Sequence, residues 1–218
     1  MKTVLCYGDS NTWGYVPTTG ARFAPEIRWT GVLQRELGPE YRVLEEGLNG
    51  RTSGCEDEWD PYLNGRAQLI PTLRIAAPLD LVILMLGTND LKYHGAWGSA
   101  QACCELIRTI RQNADLFTDG KPRVLLVSPP LLGEPRTVFM ADPEARYCTR
   151  AESEKFWPYY QQYAAFLDVP CFNAASVANP GPDGAPMRPE GICDGIHLDP
   201  AGHRALGAAL AEQVRALF

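Results

Sequence analysis

Short apolar runs alternate along the chain with longer stretches whose apolar residues recur every three or four positions. That alternation of strand-like and helix-like patterns points to βαβ units arranged around a parallel sheet. Five runs read as strands: Thr3 to Tyr7, Tyr41 to Glu45, Leu79 to Leu86, Arg123 to Ser128 and Val169 to Asn173. The third is apolar almost throughout, as a central strand covered by helices on both faces requires. Helical patterns lie between them. One runs from Pro25 to Leu37 with Gly38 as its stop, and another from Ser99 to Phe117. A third covers Ala151 to Leu167 with a break or kink at Pro158, and the last runs from Ala201 to Leu217 behind Pro200, with Asp199 as its N-cap.

Three stretches fit neither pattern: Asn11 to Ala24, Arg51 to Gly65, and Leu131 to Arg150. Each follows a strand or the turn just after it, on the sheet edge where open α/β folds place their ligands. No internal repeat or linker divides the chain, so one domain over residues 1–218 is expected.

Composition narrows the function classes. Apolar residues make up 45% and charged residues 21%, which suits a packed globular domain. The net charge is -6 and the basic residues are dispersed, so no basic footprint for phosphate backbones exists and no nucleic-acid partner is expected. Seven cysteines, odd in number and without a Cys-x-x-Cys pair, read as reduced thiols and predict a cytoplasmic protein. The first apolar run is too short for a signal-peptide core, and no window is long enough to cross a bilayer, so no membrane partner is expected.

Candidate chemistry sits in four blocks, each at a strand exit or a helix entry: Gly8-Asp9-Ser10-Asn11, Gly47-Leu48-Asn49-Gly50, Gly87-Thr88-Asn89-Asp90 and Asp194-Gly195-Ile196-His197. In a doubly wound sheet all four can converge on the C-terminal edge of the strands. A serine hydroxyl is a poor nucleophile until a neighbouring base takes its proton. His197 is the best candidate base, and Asp194, three residues earlier, can orient its ring and stabilise its cationic form.

These blocks, in this order, resemble the SGNH hydrolases, also called the GDSL family, over nearly the whole chain. The likeness is nearest to the bacterial aryl esterase, acyltransferase and perhydrolase branch, which shares Cys6 to Ser10, Arg28 to Leu33, Glu45 to Leu48, Leu86 to Asp90 and Asp194 to His197. The resemblance implies a three-layer αβα sandwich on a five-stranded parallel sheet, flavodoxin-like in arrangement. It implies Ser10 as nucleophile, His197 and Asp194 completing the triad, and an oxyanion hole built from the backbone N–H of Ser10 and Gly50 and the amide of Asn89. The reaction implied is transfer of short acyl groups from alkyl or aryl esters to water, alcohol or peroxide through an acyl-serine, with no cofactor and no metal. Close members assemble as octamers, so a homo-oligomer is expected, joined through the loops Arg51 to Gly65 and Leu131 to Arg150. Asp9, Asn11, Trp13, Leu48 and Ile196 are the expected substrate-binding residues, with Asn11 altering the pocket wall and Trp13 lining the acyl or alcohol pocket. Two positions depart from the wider pattern: Glu45 stands where the second block usually opens with Asn, and Asn11 replaces the more frequent Leu.

Plainer readings compete at each position. Gly-Asp-Ser-Asn alone is a turn sequence, and Asn89 and Asp90 could cap the next segment; Asp90 is assigned only that structural role. His203 could join His197 and Asp194 around a metal, but no further ligand completes a shell. His94 reads as a pocket-edge or surface residue, and the glycines do not form a dinucleotide-binding fingerprint. Of the aromatics Trp13, Tyr15, Trp29, Tyr62, Trp97, Phe139, Phe156 and Trp157, some must be plain core. A carbohydrate or phospholipid esterase would use the same triad, and a ligand-binding domain without catalysis is the rival outside the enzymes.

Overall fold

The computed structural model describes residues 1–17, 19–56, 60–133, 147–179 and 194–218. Five parallel strands form its sheet: β1 (Lys2–Gly8), β2 (Tyr41–Gly47), β3 (Leu81–Met85), β4 (Val124–Ser128) and β5 (Cys171–Asn173). Their order across the sheet is β2-β1-β3-β4-β5. All five lie within two residues of the runs that the sequence marks as strands.

The period of two in a strand sends successive side chains to opposite faces, and here it builds two cores. Leu81 and Ile83 of β3 join Val4, Cys6, Leu125 and Val127 under α2 (Trp29–Leu37) and α7 (Pro200–Ala216). Val82 and Leu84 join Leu5, Tyr7 and Leu126 under α3 (Gly65–Ala76), α4 (Ala96–Arg111) and α6 (Phe156–Leu167). The result is the three-layer αβα sandwich. Trp29 and Phe156 are core residues, whereas Tyr62 and Trp97 are exposed. Phe139, Cys193 and most of the 131–150 loop lie outside the described residues.

Helix boundaries depart from the sequence pattern where a side chain intervenes. The helix expected from Pro25 begins only at Trp29, because Arg28 is extended and its guanidinium pairs with Glu45 at 3.2 Å. The break expected at Pro158 falls earlier, between α5 (Arg150–Ser153) and α6. Pro158 itself occupies the first turn of α6, where its missing N–H has no helical partner to lose. Helix α3 was hidden by Gly65 and Pro71; Asn64 starts it by accepting from the N–H groups of Arg66 and Ala67 at 3.0 and 3.3 Å. Asp199 caps α7 as the sequence predicts, accepting from Gly202 N–H at 2.5 Å.

The strand order reverses direction at β1, which is flanked by β2 on one side and β3 on the other. Crossovers leave to opposite faces at such a point and open a crevice at the carboxyl ends of the strands. Residues 8–11 leave β1, residues 47–50 leave β2 and residues 87–90 leave β3 on that one edge. No helix among the described residues is long and apolar enough to cross a membrane.

Candidate active site

Ser10 opens α1 (Ser10–Trp13), a single turn capped by Asp9, whose carboxylate accepts the Asn11 N–H at 3.0 Å. This turn folds back over the strand ends because two glycines leave it room. A Cβ on Gly8 would meet the Thr12 side chain at 2.0 Å, and a Cβ on Gly47 would meet the Trp13 backbone at 2.2 Å. Gly8 and Gly47 are register partners across β1 and β2, so the turn rests on both.

The Ser10 hydroxyl lies 2.8 Å from His197 Nε2, and His197 Nδ1 lies 2.5 Å from Asp194 Oδ2. A carboxylate can only accept, so Nδ1 carries the proton and Nε2 presents its lone pair to the serine. The other Asp194 oxygen accepts the N–H groups of Ile196 and His197, both at 2.9 Å, so the carboxylate shapes the turn that carries the imidazole. Burial of Asp194 opposes its ionisation, but the His197 ring and these two N–H donors outweigh it and hold the carboxyl below its usual pKa.

Asn11 joins the two ends of the chain. Its amide donates to Ile196 O at 3.2 Å and accepts from Leu198 N–H at 2.9 Å, bracketing His197. It is buried, and its polar atoms are spent on this loop rather than on a pocket wall. Ile196 likewise packs into the core. Leu48 is half-buried and donates its N–H to Gly8 O at 3.2 Å. Trp13 is half-buried beneath Arg22, whose guanidinium carbon sits 5.1 Å from its ring. Tyr15 lies closer to the chemistry, with its ring 4.3 Å from that of His197.

Besides the Ser10 N–H at the start of α1, the donors expected for a developing oxyanion, Gly50 and Asn89, lie on two loops held by Arg51. A turn closed by Arg51 N–H on Leu48 O at 3.1 Å puts Gly50 at φ +80°, a conformation that only glycine adopts at little cost. The Arg51 guanidinium donates to Gly8 O at 2.9 Å and to Glu46 O, stacks 4.1 Å from the Tyr7 ring, and bonds Gln68. Its carbonyl accepts one Asn89 amide proton at 3.1 Å, which leaves the second amide proton for another acceptor. Nothing in the spacing of the sequence marked Arg51, since its partners lie on β1, β2 and α3. Glu45, the departure in the second block, accepts from Thr30 and pairs with Arg28, tying the start of α2 to β2.

His203 does not join the His197 ring: its Nδ1 accepts Trp29 N–H at 3.2 Å, and burial lowers its pKa to about 3. His94 stands at the edge of a cavity, as the sequence reading expects, and it has company there. Its Nε2 lies 2.8 Å from Cys55 Sγ and 3.9 Å from Asp90 Oδ1, so residues that the sequence left separate form one cluster. The six described cysteines are free thiols.

A serine, an imidazole and a carboxylate grouped in this way can perform acyl transfer. The sequence profile of the GDSL-like lipase/acylhydrolase family matches residues 6–205. Among solved structures, the native aryl esterase of M. smegmatis is 40% identical over 100% of both chains, with a TM-score of 0.85. Est24, a carbohydrate acetylesterase from Sinorhizobium meliloti, is 34% identical over 100% of both chains, with a TM-score of 0.86. The lipase/acylhydrolase from Enterococcus faecalis, at 18% identity and a TM-score of 0.70 over 100% of this chain and 97% of that one, shares the fold. No curated protein sequence matches the chain.

Burial raises the Asp9 pKa to about 6, with the Asn11 N–H, His197 and Arg51 opposing the rise and Asp90 adding to it. A carboxyl whose folded pKa exceeds its unfolded value binds more protons when folded, so its contribution to stability falls as pH rises from about 4 to about 6. Asp9→Asn keeps the capping oxygen without the charge. Chemical denaturation should show little difference between the two proteins at pH 4 and a variant more stable by roughly 3 kcal/mol at pH 7; an equal difference at both pH values would contradict this.

Proposed function

We propose, from the premise that the chain belongs to the GDSL-like lipase/acylhydrolase family and is a serine ester hydrolase, that Ser10 attacks short-chain alkyl and aryl esters and passes the acyl group to water, alcohol or peroxide. The supporting observation is the continuous relay from the Ser10 hydroxyl through His197 to Asp194, at 2.8 and 2.5 Å.

Each step follows from a named atom. His197 Nε2 takes the Ser10 proton as Oγ forms its bond to the ester carbonyl carbon. Asp194, kept ionised by its donors, stabilises the imidazolium that results. The charge that moves to the carbonyl oxygen meets the N–H groups of Ser10 and Gly50 and the free Asn89 amide proton, which are fixed before the reaction. Collapse expels the alcohol, which receives its proton from His197 and leaves an acyl-Ser10. The acceptor repeats these steps in reverse.

Transfer to an alcohol requires that water not dominate at the acyl-enzyme. Tyr15, whose ring lies 4.3 Å from that of His197, packs in turn on Trp13 at a ring separation of 6.4 Å, and the two rings offer this side of the site an apolar wall on which an alcohol can bury its carbon chain. A sugar ester is the second substrate class with an observation in its favour. A cavity of about 510 Å³, whose lining includes none of the triad residues and which would hold the sugar away from the reacting ester, is lined by Trp97 and Tyr147 together with Arg66, Gln101 and Glu105. Aromatic faces and hydrogen-bonding groups of that kind suit a carbohydrate, and the neighbour Est24 is a carbohydrate acetylesterase.

Ser10→Ala should abolish p-nitrophenyl acetate hydrolysis, and Asn89→Ala should lower kcat about 10²- to 10³-fold; a Ser10→Ala protein retaining a substantial fraction of the rate would remove the proposed nucleophile. With an activated acetate and excess benzyl alcohol in buffer, benzyl acetate should accumulate. Acetic acid alone would confine the protein to hydrolysis. Acetylated xylan should be a poorer substrate than an aryl acetate, and the reverse ranking would transfer the assignment to the sugar class.

A further inference from the structure

The loop after Gly50 and the turn after Asn89 meet a second time, away from Ser10, at Cys55, Asp90 and His94. One thiol sulfur, one carboxylate oxygen and one imidazole nitrogen lie within 4.8 Å of one another. Cys55 Sγ is 3.7 Å from Asp90 Oδ1, and Asp90 Oδ1 is 3.9 Å from His94 Nε2. We propose that these three side chains form a binding site for a thiophilic divalent cation of the zinc type, separate from the serine site.

Three features support it. First, thiolate, imidazole and carboxylate are the donor types zinc takes, and three protein ligands with one open position is a common arrangement. Around a tetrahedral zinc, neighbouring donor atoms stand about 3.5 Å apart, given the usual bond lengths. The two separations involving Asp90 are already close to this, and the thiol and imidazole, at 2.8 Å, need only rotate apart.

Second, the ligands are oriented from behind. His94 Nδ1 lies 3.3 Å from Gly95 O, a group that can only accept, so Nδ1 holds the proton and the Nε2 lone pair faces Cys55 and Asp90. The Asp90 carboxylate is fully buried and held by the N–H of Ser53 at 3.1 and 3.0 Å and by its hydroxyl. That carboxylate cannot turn away from the cluster without abandoning those bonds.

Third, there is a way in. Ser53, Gly54 and His94 line the cavity of about 510 Å³, which gives a cation access and leaves space for a water or another ligand at its open position. On binding, the Cys55 thiol releases its proton to solvent and the thiolate bonds the metal; no oxidation or reduction takes place. The bound cation would cross-link residues 51–55 to residues 89–94, the two segments that carry or adjoin the amide donors of Gly50 and Asn89.

The test uses the intact protein after chelation and dialysis. Titration with Co²⁺ should produce thiolate-to-cobalt charge-transfer absorption together with four-coordinate visible bands, saturating at one equivalent, and Zn²⁺ should displace them. Zn²⁺ should also raise the thermal midpoint, because a ligand that binds only the folded state stabilises it. Cys55→Ser and His94→Gln should each lose the absorption and the thermal shift while keeping the circular dichroism and p-nitrophenyl acetate activity of the metal-free protein. A saturating titration without the thiolate band, or a band that persists in Cys55→Ser, overturns the proposal. Because the readout is spectroscopic, it stands or falls independently of the serine reading.

Discussion

Everything at the serine site depends on a junction between the two ends of the chain, and Asn11 makes that junction. Its carboxamide bonds Ile196 O and Leu198 N–H, one on each side of His197. The imidazole is thereby held from behind by Asp194 and fastened on both flanks to the short helix that starts with Ser10. A hydroxyl and a ring nitrogen 187 positions apart in sequence can stay 2.8 Å apart only if the backbone beneath both is fixed. A buried amide with its donor and acceptor both satisfied does this at little cost. Leu at the same position would fill the space but leave the Leu198 N–H and Ile196 O without those partners.

Arg51 performs a comparable service on the other side of the crevice. Its guanidinium reaches the carbonyls at the ends of β1 and β2, its ring partner is Tyr7, and its own carbonyl orients the Asn89 amide. The loop that places Gly50 is thus attached to the same strand end as Ser10. Burial depresses the Arg51 pKa, with Tyr7, Glu46 and Asp9 opposing the change. An arginine suits the position because its planar fork serves several carbonyls at once while stacking on an aromatic face, which a lysine does not do.

Three buried aspartates surround the crevice, and their surroundings give them different characters. Asp194 is ionised because a histidine and two N–H groups face it. Asp9, capping α1, is pushed up to about 6 because burial dominates over its partners. Asp90 is raised by burial in spite of the Ser53 hydroxyl and N–H, and it lies beside a thiol and an imidazole rather than beside a reacting serine. Residue type alone would treat the three alike.

The sequence by itself determined the strands, both faces of the sheet and the four blocks at the strand exits. Strand periodicity and unbroken apolar runs are local properties, and so are Asp199 with Pro200 at the start of α7 and the spacing of Asp194 to His197. Only the tertiary structure decided the rest. Helix α3 was obscured by Gly65 and Pro71, and its start depends on the Asn64 cap and on Tyr7 donating to Gly65 O at 2.6 Å from another strand. The roles of Asn11, Arg51 and Tyr15, and the meeting of Cys55, Asp90 and His94, depend on partners tens to nearly two hundred residues away. Period and propensity are written in neighbouring residues, whereas a hydrogen bond between distant segments exists only once the sheet has set their separation and direction.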